Sequence, residues 1–211
     1  MQEALLCAQE QDRADVYALL AALLLRPEPA LVEGLARLAE VDGDEPLDLA
    51  WNALVQAARR GPRTVSDEHE ALFVAAGTPR LNPYQCYYVA GWLMDKPLAA
   101  RRQDLQRIGL ARLPGATELE DHLGVLCETM RVLVMSGHPL AVQAGFFSAH
   151  LAGWGPRCLD EIACASAGGF YAALAAFARH FLEAEGRHFS LEDVPSPQHP
   201  PRTSRHAATA A

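Results

Sequence analysis

Residues 117–134 read TELEDHLGVLCETMRVLV, and this stretch decides the fold class. Thr117 and Glu120 stand three residues apart, which is the spacing of a capping box at the amino terminus of a helix. Leu119, Leu123, Leu126 and other apolar side chains then recur on one face at helical spacing. Because most of the other faces are apolar too, we expect a helix over 118–136 that runs through the protein interior.

Helical patterns also dominate the rest of the chain, and no stretch alternates apolar and polar residues as a half-buried strand does. Pro and Gly separate the helical segments, for example at Arg26-Pro27 and Gly61-Pro62. The sequence therefore predicts an all-α protein, a single bundle-like domain of about nine to ten helices.

The Leu113-Pro114-Gly115-Ala116 connector is the clearest internal break. We expect a helical domain over 1–186, with a hinge at about 113–117 that can divide it into two subdomains. The segment 187–211 is rich in Pro and Ala and low in large apolar side chains, so a disordered tail is expected there. The short hinge predicts a monomer that can form a minor, domain-swapped dimer.

The charge balance excludes one class of partner. The chain has 18 Lys and Arg against 26 Asp and Glu, a net charge of −8. Nucleic acid is therefore not expected as a partner, since its binding requires many phosphate-neutralising cations. Two interpretations of the acidic surface stay open: solubility alone, or attraction of a cationic peptide.

Several other classes are excluded by what the sequence lacks. No uncharged apolar run is long enough to span a bilayer, and the amino terminus is acidic, so a cytoplasmic protein is expected. The five cysteines include no CxxC pair, which favours free thiols over disulfides. There is no phosphate-binding loop, nucleotide fingerprint, nucleophile elbow or zinc helix, and the histidines are scattered. We expect no catalytic activity, no metal and no cofactor.

The charged pair Asp121-His122 stands at the start of an otherwise apolar helix, and it admits two interpretations. In the structural one, Asp121 stabilises the positive end of its own helix and His122 donates to a nearby carbonyl. In the functional one, the pair lines a groove and presents polar groups to a ligand.

Tyr84, Tyr87, Tyr88 and Trp92 form an aromatic cluster after a Pro-rich loop. They can be core residues paired at i,i+4 spacing, Tyr84 with Tyr88 and Tyr88 with Trp92. Alternatively they form an apolar groove with polar handles for a peptide. We expect Trp92 in the core and Tyr84 near the groove, and Trp154 is expected to be a packing residue.

Three stretches together resemble one protein family. The run Glu118-x-x-Asp121-His122-Leu opens the predicted helix, residues 70–88 read EALFVAAGTPRLNPYQCYY, and residues 146–157 read FFSAHLAGWGPR. In this order they are similar to signature segments of the TorD/DmsD/NarJ family, the cytoplasmic chaperones of molybdenum-containing oxidoreductases. One departure is Gln85-Cys86, which replaces the family's common Glu-Ser pair.

The resemblance implies a TorD-like fold and a function. Such a chaperone binds the catalytic subunit of a molybdopterin oxidoreductase of the DMSO reductase family, through its twin-arginine signal peptide, its apo form or both. It assists cofactor insertion and delays export. The residues implied in client binding are Leu81, Pro83, Tyr84, Tyr87, Glu118, Asp121 and His122. Two alternatives stay open: a nitrate-reductase-type assembly factor for a membrane-associated enzyme, and a nucleotide-binding or nucleotide-hydrolysing protein.

Overall fold

The structure is a computed structural model that describes residues 7–74, 79–90 and 118–191. Nine α-helices and no β-strand lie within these ranges, so the predicted all-α class is confirmed. The helices are α1 Ala8–Leu25, α2 Pro29–Arg37, α3 Pro46–Ala58, α4 Pro62–His69, α5 Gln85–Ala90, α6 Leu123–Met135, α7 Leu140–Phe147, α8 Gly155–Ala165 and α9 Phe170–Leu191.

Proline sets the start of four helices, because its fixed φ and missing N–H suit the first turn. It stands in the first turn of α2, α3, α4 and α8. Helix α4 accordingly begins at Pro62, directly at the Gly61-Pro62 break. Two short π-helical segments, Glu70–Val74 and Ser148–Ala152, extend α4 and α7.

The core is centred on α6, and the most extensive packing of α6 is against α1. Leu126, Met130 and Leu133 of α6 are fully buried, as is Tyr17 of α1. The prediction that this helix runs through the interior is thus confirmed. Its predicted start is wrong, because α6 begins at Leu123 with His122 as its N-cap, while residues 118–121 are not helical.

A buried polar network ties α1 to α7 and α9. The Arg13 guanidinium donates to both carboxylate oxygens of Glu185, at 2.7 and 2.8 Å, and Tyr17 Oη donates to the same carboxylate at 2.9 Å. Arg13 also donates to Gln143 Oε1 at 3.1 Å. Burial opposes the charge of Arg13, yet the hydrogen bond to Glu185 and its negative charge raise the pKa of the guanidinium.

Glu68 of α4 holds the amino terminus of α9. Its two carboxylate oxygens accept from the backbone N–H groups of Phe170, at 2.9 Å, and Tyr171, at 3.0 Å. These are two of the donors that a helix leaves unsatisfied at its start. The carboxylate also contacts the Ser166 hydroxyl, so it fixes the direction of α9 from a distant part of the chain.

The carboxyl end of α9 differs from the prediction. The helix continues to Leu191, past the predicted domain end at residue 186, and Phe189 is buried beneath the Arg13 guanidinium. The first residues of the expected tail are therefore helical. The rest of that tail, the hinge at 113–117 with its swapped dimer, and Trp92 lie outside the described residues and stay predictions.

The cysteines are unpaired, as the sequence predicts. All five cysteines are free thiols, and Cys86, Cys127 and Cys158 are buried; burial raises the pKa of Cys127 and Cys158 to about 12. Among the described residues, no helix combines the length and the apolar character that a membrane crossing requires.

Close packing of α1 on α6 depends on Gly124. A Cβ there would lie 2.7 Å from Leu25 Cγ and 3.2 Å from the Ala21 carbonyl oxygen. We expect Gly124→Ala to lower the free energy of unfolding by about 1–3 kcal/mol, the usual cost of overpacking. Gly34→Ala in α2 is the matched control, since nothing lies within 4 Å of the added methyl and alanine favours helix by about 1 kcal/mol. Urea unfolding of both variants checks this; equal effects would contradict it.

Candidate functional site

Two segments that are distant in sequence pair to form the site. The Gln85 N–H donates to the Asp121 carbonyl at 2.9 Å, and the Leu123 N–H donates to the Pro83 carbonyl at 2.8 Å. These bonds flank an isolated antiparallel bridge between Tyr84 and His122. Immediately after the bridge, one segment starts α5 and the other starts α6. The bridge therefore fixes the two helix starts side by side.

Asp121 stabilises α5 rather than its own helix. Its side chain is fully buried, and Oδ2 accepts from the Cys86 N–H at 3.0 Å, at the beginning of α5. The structural interpretation placed this carboxylate at the start of α6, whereas its hydrogen bond goes to α5. Its other oxygen, Oδ1, has no hydrogen-bond partner within the described part of the chain. A fully buried carboxylate positions the backbone of α5 and offers no surface to a large ligand.

His122 is the N-cap of α6. Its Nδ1 accepts from the Gly124 N–H at 3.0 Å. The structural interpretation had the imidazole donate to a carbonyl, but Nδ1 is an acceptor here. Burial lowers the pKa of His122 to about 4, although the charges of Glu118 and Asp121 act in the opposite direction. The ring is therefore neutral at pH 7. Because Nδ1 is an acceptor, the proton is on Nε2.

Tyr84 and Glu118 supply the polar atoms nearest to the surface. Tyr84 Oη donates to Glu118 Oε2 at 2.7 Å, and both side chains are partly buried. Burial and the hydrogen bond to Glu118 raise the pKa of Tyr84. The Tyr84 ring meets the His122 ring edge-on, with 5.0 Å between centroids. The four residues Tyr84, Glu118, Asp121 and His122 thus form one contiguous cluster, which we call the bridge cluster.

The remaining predicted site residues lie around the bridge cluster. Leu81 and Pro83 are buried, and the Leu81 N–H donates to the Leu72 carbonyl at 3.0 Å. Tyr87 is 42% exposed on the outer side of α5. Leu81 and Pro83 therefore shape the wall of the site, whereas Tyr87 presents its ring to solvent.

Tyr88 belongs to a different contact. Tyr84 precedes α5 and its ring lies on His122, so Tyr84 and Tyr88 do not share a helix face as the core interpretation supposed. Tyr88 stacks on Trp154, with 5.3 Å between centroids, and Tyr88 Oη donates to Glu161 at 2.7 Å. Trp154 is 3% exposed, which confirms its packing role. This contact anchors α5 on α8.

His69 is a neighbour of the bridge cluster that the sequence did not indicate. Burial lowers its pKa, with the backbone carbonyl of Leu24 at 3.4 Å and the charge of Glu118 acting in the opposite direction. Its ring packs between Phe73 and Tyr171. In the sequence, His69 directly precedes the stretch 70–88 that resembles the family. A single histidine at the end of a helix is nevertheless not distinctive.

The bridge cluster and its neighbours offer charged, polar and aromatic groups for contact with a ligand. The bridge cluster combines the carboxylates of Glu118 and Asp121, a phenol that donates to Glu118, and a neutral imidazole, while its nearest thiol, Cys86, is fully buried. Within the described residues, no group of three or more His, Cys, Asp or Glu could hold a metal ion. A carboxylate beside aromatic rings suits a cationic group that carries an apolar neighbour.

Comparison with known protein families gives a match. The family described as nitrate reductase delta subunit matches residues 40–160, which include the bridge cluster, helices α3 to α7 and the first part of α8. No curated protein matches the chain. Since the match covers more than half of the sequence, the chain belongs to the nitrate reductase delta subunit family, a family of molybdoenzyme assembly chaperones.

Proposed function

We propose that this chain is a cytoplasmic, non-catalytic chaperone for the catalytic subunit of a molybdopterin-dependent oxidoreductase of the DMSO reductase family. It binds the subunit's twin-arginine signal peptide, its apo form or both, and delays export until the cofactor is inserted. The single observation that carries this proposal is the bridge cluster. In this cluster the Glu118 carboxylate accepts from Tyr84, whose ring packs edge-on against the His122 ring.

The chemistry of such a peptide suits this site. A twin-arginine signal has paired arginines followed by an apolar stretch. An arginine fork can donate to a carboxylate through two N–H groups, and Glu118 still has one oxygen that Tyr84 does not engage. The exposed ring of Tyr87 offers apolar contact area beside it. Asp121 and His122 act from beneath, where they fix the starts of α5 and α6.

The experiment is a calorimetric titration of the client's amino-terminal peptide into variants of the full chain. We expect Glu118→Gln to weaken binding about tenfold, that is ~1.4 kcal/mol, because the arginines lose a charged acceptor while the Tyr84 hydrogen bond persists. Glu161→Gln is the matched control, since Glu161 accepts from Tyr88 at the same 2.7 Å but lies on α8. Equal losses in both variants would contradict a peptide site at the bridge cluster.

A second candidate is a nitrate-reductase-type assembly factor for a membrane-associated molybdoenzyme. The observation that favours it is the family match itself, which names the nitrate reductase delta subunit. In that case the mature body of the client is the main contact. Titration of the apo-client with and without its first segment separates the two: unchanged affinity without that segment favours the assembly factor.

A further inference from the structure

A second surface of the protein combines exposed apolar side chains with acidic residues. Leu38, Val41 and Leu49 are 47, 43 and 57% exposed, and all three lie at or beside the 38–45 connector between α2 and α3. We call these three residues the connector patch. Isolated exposed leucines are ordinary, but three exposed large apolar side chains within the short stretch 38–49 form a surface that binding can cover.

Hydrogen bonds hold the connector patch in place. The Val41 N–H donates to Asn52 Oδ1 at 2.8 Å, and Asn52 Nδ2 donates back to the Val41 carbonyl at 2.9 Å. Leu49 stands three residues before Asn52 and so shares its face of α3. The Glu40 carboxylate further accepts from Arg59 at 3.0 Å. The connector backbone at Val41 is therefore fixed against α3, which reduces the ordering cost of binding.

The charge around the connector patch is negative. Asp42, Asp44 and Glu45 are exposed, and Glu45 makes no capping bond to α3, so their charges face solvent. Two neighbouring cations already form ion pairs with other carboxylates: Arg37 with Glu33 at 3.3 Å and Arg59 with Glu40. A partner that complements this surface carries positive charge next to apolar side chains.

We propose that Leu38, Val41 and Leu49, with Asp42, Asp44 and Glu45 beside them, dock a cationic amphipathic helix of a partner protein. The apolar face of that helix covers the connector patch, and its Lys and Arg side chains meet the three carboxylates. The proposal shares no residue with the bridge cluster and does not depend on the function proposed above.

The test uses the full chain and two labelled 14-residue helical probe peptides of equal charge. One carries Leu at i, i+3 and i+7 with Lys at the other exposed positions, and the other carries Ser in place of Leu. We expect the Leu peptide alone to bind, as measured by fluorescence anisotropy. The variant Leu38→Ser/Val41→Thr/Leu49→Ser should weaken this binding at least tenfold without a change in melting temperature.

A charge variant and its control complete the test. Asp42→Asn/Asp44→Asn/Glu45→Gln should weaken binding at least fivefold and remove most of its salt dependence. The equally neutralised Asp12→Asn/Asp15→Asn/Glu28→Gln variant, whose positions lie on α1 and before α2, should bind as the unaltered chain does. Equal loss in the two charge variants, or unaltered binding by the apolar variant, would overturn the proposal. Loss of binding in Glu118→Gln alone would assign the peptide to the bridge cluster and overturn it too.

Discussion

Glu185→Ala is expected to lower the free energy of unfolding by about 3–5 kcal/mol, the cost of leaving a buried charge without its partner. The variant leaves the Arg13 guanidinium, which is 7% exposed, without its carboxylate partner. It also removes the acceptor of Tyr17 Oη. That loss is a large share of the ~5–15 kcal/mol that stabilises a typical domain. Urea unfolding measures it.

Glu183→Ala is the matched control for this prediction. Glu183 lies two residues earlier on the same helix, and its partners Arg179 and His180 are near the surface. An exposed pair contributes less than about 1 kcal/mol. A second variant, Arg13→Met/Glu185→Leu, removes both charges and should recover much of the lost stability. Equal effects of Glu185→Ala and Glu183→Ala would show that the network does not hold α1 to α9.

Acidification from pH 6.5 to about 4 is expected to destabilise the fold through His122, whose pKa burial lowers to about 4. In this window the unfolded chain binds a proton that the folded imidazole does not, so stability is fully present above pH 6.5 and falls as pH decreases. The full decrease in the free energy of unfolding across this window is on the order of 3 kcal/mol. Thermal unfolding across this pH range measures it.

His122→Asn separates the titration from the cap. Asparagine offers an oxygen to the Gly124 N–H and is a favoured N-cap, but it does not titrate. This variant should therefore keep its stability at pH 7 and lose most of the slope between pH 6.5 and 4. His180→Asn, at a partly exposed site, should leave the slope nearly unchanged. A His122→Asn slope equal to that of the unaltered chain would contradict a buried neutral imidazole.

The sequence predicts those elements whose signals are local. The Arg26-Pro27 end of α1 and the proline breaks before α3 and α4 follow from backbone chemistry alone, and the structure places them there. The apolar periodicity after Leu123 likewise predicts the burial of α6. In these cases the residues that decide the structure are neighbours in the chain.

Contacts between distant segments explain what the sequence did not indicate. The Thr117/Glu120 spacing suggested a helix start, but the Leu123 N–H is bonded to the Pro83 carbonyl and residues 118–121 form a turn that leads into this pairing. For the same reason Asp121 supports α5, which only the folded bridge brings near it. The role of Glu185 has no local signal in the sequence, because its partner Arg13 is 172 residues away.

Recovery of the tagged chain from the cells that naturally make it, followed by identification of the bound proteins, tests the central claim most directly. Samples from the unaltered chain and from Glu161→Gln should contain the apo form of one molybdopterin oxidoreductase catalytic subunit in equal amounts. The Glu118→Gln sample should contain clearly less. Absence of any molybdoenzyme subunit from all three samples, with the chain itself folded and abundant, would contradict a chaperone role.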